Sequence, residues 1–276
     1  MNATQREDYW LKVERLRKSI EDKYSSLIKT ILNAEVKRIA KLSSTVGPSA
    51  ALTMLGTIAW DEKFAGILRS LYKECGIVFG NASYRASSIM SKKADDPNGI
   101  NDDLARKMSE FLLLYGLQLA AYVAETTKRR ITFIILSGQK VGLNGIEISN
   151  NILQDAEIGY TLNRSKRIAR TEVMRASNYA AFIAAQEHPY EVDKIWIATR
   201  DARTRRIPKN YYDHYDMDGQ MSKILEPFIS RDLGGRVVTA QYPGDPRAPK
   251  GFTIGCRCTV AFIPRRDSDG NLIMKR

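Results

Sequence analysis

Cysteine and histidine are scarce in this chain, with three and two among 276 residues. An odd number of cysteines without framework spacing excludes a disulfide-stapled scaffold and points to a reducing compartment. No phosphate loop is present, because Ser137-Gly-Gln-Lys140-Val-Gly142 has neither the spacing nor the following hydroxyl, and no Gly-x-Ser-x-Gly elbow occurs. Long apolar runs are missing as well. The longest, Phe111 to Ala124, is interrupted by Gln118, is too short for a bilayer and reads as a buried helix, so no membrane partner is expected. The N-terminus is charged from Arg6 and shows no apolar run before a cleavage site, so no secretory leader is expected.

What is there is a globular composition, 43% hydrophobic and 27% charged, with a net charge of +12. The charge is uneven. Residues 1–159 carry 22 Lys/Arg against 18 Asp/Glu, whereas residues 160–276 carry 21 against 13. The C-terminal part is the one suited to a polyanion such as DNA, although a solvated basic surface has the same composition.

Thr4-x-x-Glu7 reads as a capping box opening a first helix. Val13, Leu16, Ile20, Tyr24, Leu27 and Ile31 give it one apolar stripe to about Leu42, a length of roughly 55–60 Å that suits packing on other long helices or on a partner. Gly47-Pro48 breaks the chain. A second helical region follows over Ser49 to Lys92, its continuity in question at Gly56, Gly66, Gly76 and Gly80. After a Pro97-Asn98-Gly99 turn, Asn101 caps a third helix with Lys128-Arg129-Arg130 near its end. Ile131 to Leu136 could be strand or helix. Asn163 to Glu187 is a firm helix, with Ile168, Val173, Ala176, Ala180 and Ile183 toward a core and Arg164, Arg167, Arg170 and Arg175 largely on another side. Beyond Pro189, Lys194–Ala198, Arg236–Ala240 and Thr259–Ile263 read as strands, and Ser222 to Phe228 as one helical turn. The expected fold is α+β: a long, mainly helical N-terminal region, then a small antiparallel sheet packed on a basic helix.

Chemistry-bearing residues concentrate between Trp196 and Cys258. Cys256-x-Cys258 with His214 offers three preferred zinc ligands, and Asp201 or Asp218 could supply a fourth. The alternative is two packed thiols with a hydrogen-bonded imidazole. Arg200, Arg203, Arg205 and Arg206 form a second group, interleaved with Tyr211, Tyr212 and Tyr215; with Arg167, Arg170 and Arg175 they are the candidate DNA or phosphate contacts. At least one should pair internally with Asp201, because an unpaired buried arginine is costly. Two catalytic readings use the same residues: a cysteine nucleophile with His214 as base, and a zinc-dependent nuclease acting on DNA. Neither has a convergent set of roles in the sequence, and no catalytic residue is assigned. His188 reads as a helix C-terminal cation or a turn residue, and Cys75 as core.

The order of these motifs is itself informative. A helix with Arg167-Ile-Ala-Arg170-Thr171-Glu172 and Asn178 is followed by Trp196 and Asp201-Ala-Arg203-Thr-Arg205. Then come His214-Tyr-Asp-Met-Asp218-Gly-Gln220, Tyr242-Pro-Gly-Asp-Pro246 and Cys256-Arg-Cys258. Over roughly residues 145–263 this resembles the phage Mu F-like head-morphogenesis family. One departure stands out: residues 206–213 separate Arg205 from His214, where the family has two intervening residues. The resemblance also implies a short helix over Ile131–Leu136 that ends at Gly138, and another near Ile146 to Ala156. It further implies a helical region 1–140 for partner or portal contact and a Mu F-like domain over 141–276. The implied function is that of a non-enzymatic minor capsid protein of a tailed phage, aiding head assembly and DNA retention or ejection. It would sit in the capsid interior of the virion after assembly in the host cytoplasm, with portal protein, capsid or scaffold proteins and double-stranded DNA as partners.

Overall fold

In the computed structural model, residues 1–58, 60–89, 99–155 and 162–275 are described. They fall into two compact units, one formed by Met1–Glu21, Leu71–Phe111 and Arg170–Arg276, the other by Asp22–Ser70 and Leu112–Ala169.

The helices are α1 (Ala3–Thr45), α2 (Pro48–Thr57), α3 (Trp60–Cys75), α4 (Asn81–Ile89), α5 (Gly99–Phe111), α6 (Leu117–Lys140), α7 (Gly145–Gln154) and α8 (Leu162–Gln186). The Gly47-Pro48 break is present, and one extended residue, Ile58, ends α2. Helix α1 is capped two residues earlier than expected. Asn2 and Gln5 exchange side-chain and backbone hydrogen bonds, each 2.9 Å, and occupy the box positions assigned to Thr4 and Glu7. The apolar stripe is also displaced. Ile20 and Tyr24 are buried, but Leu16 and Leu27 are each 45% exposed, and Arg17, Glu21 and Glu35 take inner positions. These charged residues can lie inside because each has polar partners there.

In the all-helical unit, Ile28, Leu32, Val36 and Ile39 of α1, Phe64 and Leu68 of α3, Ile131 and Ile135 of α6 and Ile148 and Ile152 of α7 are buried. Ile131–Leu136 is helical, but as the interior of α6 and not as a separate short helix; α6 therefore continues ten residues past Arg130. Helix α7 starts at a complete capping box, Asn144 with Glu147. The Phe111–Ala124 run is not the buried helix its composition implies. Leu113, Leu114 and Tyr122 are 61%, 62% and 48% exposed.

In the other unit, a π-helical turn over Gly76–Gly80 joins α3 to α4. The glycines there mark close packing: a Cβ on Gly80 would lie 2.0 Å from Leu104, and one on Gly76 2.9 Å from Met108. The expected turn at Pro97-Asn98 and the side chains of Asn101 and Asp102 lie outside the described residues. Five strands follow α8: β1 (Val192–Ile197), β2 (Met221–Lys223), β3 (Phe228–Arg231), β4 (Val237–Ala240) and β5 (Thr259–Pro264). They form two small antiparallel sheets, β2-β1-β5 and β3-β4. The span Ser222–Phe228 is thus the end of β2, a turn and the start of β3, and not a helical turn. Its strands are too short for periodicity to show, and β3 is held from outside: the Gln220 amide donates to Ile229 O at 2.8 Å and accepts from Ile229 N at 3.0 Å.

Central strand β1 is covered on both faces. Ile195 and Ile197 pack with Ala261 against Tyr9, Trp10 and Ile263. Trp196, on the opposite face, is fully buried against Phe228, Phe252 and His214. All five predicted core positions of α8 are buried, and Phe182 meets Tyr242 and Phe262 of the strand region.

Candidate metal centre and basic surface

His214 reaches the interior although eight residues separate it from Arg205. The Arg205 carbonyl accepts from both His214 N (2.9 Å) and Tyr215 N (3.1 Å), so residues 206–213 form an excursion pinched at its neck. Asp213 ties the excursion together, accepting from Ile207 N at 3.1 Å and Asp216 N at 2.8 Å. The eight-residue separation therefore closes on itself and brings His214 back beside Arg205.

Cys256 and Cys258 arrive from the turn that feeds β5. Gly255, at φ 70°, makes a bend that a side chain would strain, and its N–H donates to Thr171 Oγ1 at 3.0 Å. His214 Nδ1 lies 3.4 Å from Cys256 Sγ and 3.5 Å from Cys258 Sγ. The three ligand atoms are all within 4.8 Å of one another, and the residues are 1%, 3% and 2% exposed. Phe252 and Trp196 close over the imidazole at 4.3 and 5.7 Å between ring centroids. Burial alone would raise the Cys256 thiol, but hydrogen bonds from Cys258 and the nearby His214 bring it well below the usual range. Burial and the charge of Cys256 push Cys258 well up, so the pair favours one thiolate next to one thiol.

Asp201 does not join them. It forms a two-pronged ion pair with Arg257, at 2.7 and 2.5 Å, and accepts from Arg203 N at 3.0 Å. The Arg257 hydrogen bond is the main reason its carboxyl lies far below the ordinary carboxylate range. Asp218 is also committed elsewhere, to Arg6 at 2.9 Å and Ala198 N at 3.0 Å.

The predicted arginines divide between scaffold and surface. Arg175 points inward, against the expectation of a surface contact: its side chain is 9% exposed, pairs with Glu172 at 2.8 Å and donates to Gly244 O at 3.2 Å. Glu172, fully buried, also accepts from Tyr72 at 2.7 Å, and its charge outweighs burial in raising the pKa of Arg175. Arg170 pairs with Glu21 at 3.2 Å, and Arg205 donates to the Ile254 carbonyl. Arg167, Arg200, Arg203 and Arg206 are exposed. Arg200 and Arg206 both lie over the Tyr215 ring, 5.0 and 4.4 Å from its centroid. The hydrogen bond from Arg200 lowers the pKa of Tyr215.

Arg17, to which sequence reasoning assigns no role, is central to this unit. It is 1% exposed and donates to Ser177 Oγ (2.8 Å), Cys258 O (3.1 Å), Asn178 Oδ1 (2.7 Å) and Thr259 Oγ1 (3.2 Å). Its signal was a charge three residues before Ile20, on the stripe itself. Cys75 is core, as expected, and burial raises its thiol. His188 is buried between Tyr84 and Tyr190, and burial, then Lys275, lowers its pKa.

Residues 130–261 match the family model described as Phage Mu protein F like protein. This segment is a phage Mu F-like domain. It contains His214, both clustered cysteines and the exposed arginine loop. No curated protein and no solved structure matches the chain. Among the described residues, no helix is long and apolar enough to cross a membrane.

Proposed function

We propose that this chain is a minor capsid protein that associates with the portal inside the head, with the basic surface of its Mu F-like domain contacting packaged DNA. Its role is structural: head assembly and the holding or guiding of DNA. The observation that carries the DNA contact is the exposed cluster of Arg200, Arg203 and Arg206 around Tyr215, in which guanidinium forks and a ring are presented together. Partner contact is supported by the exposed apolar residues Leu113, Leu114, Phe133, Leu136 and Ile146 in the helical unit.

The test is DNA affinity as a function of salt. Each phosphate contact contributes a slope of about −0.9 in log affinity against log salt, so R200A/R203A/R206A should flatten the slope by roughly 2–3. An unchanged slope would remove DNA contact from the reading. The same samples report on the competing activity, a zinc-dependent nuclease. DNA that stays intact supports the structural role, whereas cleavage abolished by His214→Ala supports the nuclease. The burial of His214, Cys256 and Cys258 favours the former.

A further inference from the structure

Two sulfurs compete for one nitrogen at the buried cluster. An imidazole Nδ1 has either one proton or one lone pair, so it can complete a hydrogen bond with only one thiol. Both sulfurs nevertheless lie at nearly equal distance from it, 3.4 and 3.5 Å. A tetrahedral zinc with Zn–S near 2.3 Å and Zn–N near 2.0–2.1 Å has S···N edges of about 3.6 Å. The observed distances are those of a tripod whose centre accepts an ion.

The surroundings point the same way. Cys258 N donates to Cys256 Sγ at 3.3 Å, an amide–sulfur bond that favours the thiolate form a metal requires. The indole Nε1 of Trp196, whose ring packs on His214, is buried without a hydrogen-bond partner among the described residues. The backbone that presents the ligands is fixed independently: Arg17 and Asn178 both donate to the Cys258 carbonyl, at 3.1 and 3.2 Å. Such outer contacts hold ligands in place before a metal binds.

We infer that His214 Nδ1, Cys256 Sγ and Cys258 Sγ bind one zinc ion that fastens the neck of the 206–213 excursion to β5. Among the described residues, no other His, Cys, Asp or Glu joins the cluster. Both sulfurs bind as thiolates, so the thiol proton that the pair still holds is released to solvent. The site is structural, joining two segments more than forty residues apart in the chain, 214 and 256–258.

Elemental analysis of the full chain, purified without chelator, should find about one zinc per chain. Cobalt(II) added to the chelator-stripped protein should give thiolate-to-metal charge transfer and the visible bands of a tetrahedral site, and zinc should displace them. Cys258→Ser should lose both signals, whereas Cys75→Ser, which alters the cysteine outside the cluster, should retain them. Wild-type protein that contains no zinc and gives no cobalt–thiolate band overturns the inference, whatever the variants do. Equal signals in Cys258→Ser and wild type also overturn it.

Discussion

Replacing Arg17 with leucine removes a buried charged group at the junction of α1, α8 and β5. The substitution deletes donors to Ser177 Oγ, Asn178 Oδ1, Thr259 Oγ1 and the Cys258 carbonyl. Each hydrogen bond to a charged group contributes about 1.5–3 kcal/mol, but the guanidinium also costs several kcal/mol to desolvate, so the sum of the bonds overstates the loss. Leucine regains some apolar burial and leaves the four acceptors to share the remaining donors. The net expectation is a destabilisation of about 2–4 kcal/mol, because each buried acceptor left without a donor costs about 1–3 kcal/mol and some find other donors. Urea unfolding followed by tryptophan fluorescence measures it, because Trp10, whose indole donates to Arg257 O, and Trp196 both belong to this unit. Arg15→Leu, on the exposed side of the same helix, is the control and should shift stability by less than about 0.5 kcal/mol. A loss below about 1 kcal/mol for Arg17→Leu would mean that the network does not hold the unit together.

Lys194 gives a pH prediction. Its ammonium is fully buried between Phe182 and Phe228, donates to Gln241 O at 2.9 Å, and is pushed by burial down to about 7. Between about pH 7 and 10.5 the unfolded chain holds this proton and the folded chain does not, so stability should rise with pH there by up to about 1.4 kcal/mol per unit. Relative to Lys194→Met, wild type should show that extra slope in denaturant titrations, and parallel curves would refute it. Gly244→Ala should destabilise by at least about 1–3 kcal/mol, since φ is +88° there and a Cβ would sit 2.8 Å from Met174 Sδ and 3.1 Å from the Arg175 backbone. A melting temperature equal to wild type would contradict that.

Helix α8 was legible in the sequence from its helical periodicity, and strands β1, β4 and β5 from their β-branched and aromatic runs. β2 and β3 were not, because they are three and four residues long and β3 depends on the side chain of Gln220. His214, Cys256 and Cys258 were legible from residue type, and the pinch at Arg205 that brings them together was not. Asp201 was misplaced as a ligand for a simple reason. Arg257 sits between the two cysteines in sequence and claims that carboxylate by a two-pronged ion pair away from their sulfurs. Arg175 was read as a surface charge because sequence shows its sign but not Glu172 one turn back and Gly244 across the fold.

The proposed place of this chain is inside the phage head. Quantitative mass spectrometry of procapsids purified before DNA packaging, assembled with and without portal protein, tests it most directly. The account predicts the chain at low copy in portal-containing procapsids and its depletion from those that lack the portal. A chain found only free in the lysate, and in neither particle, would contradict it.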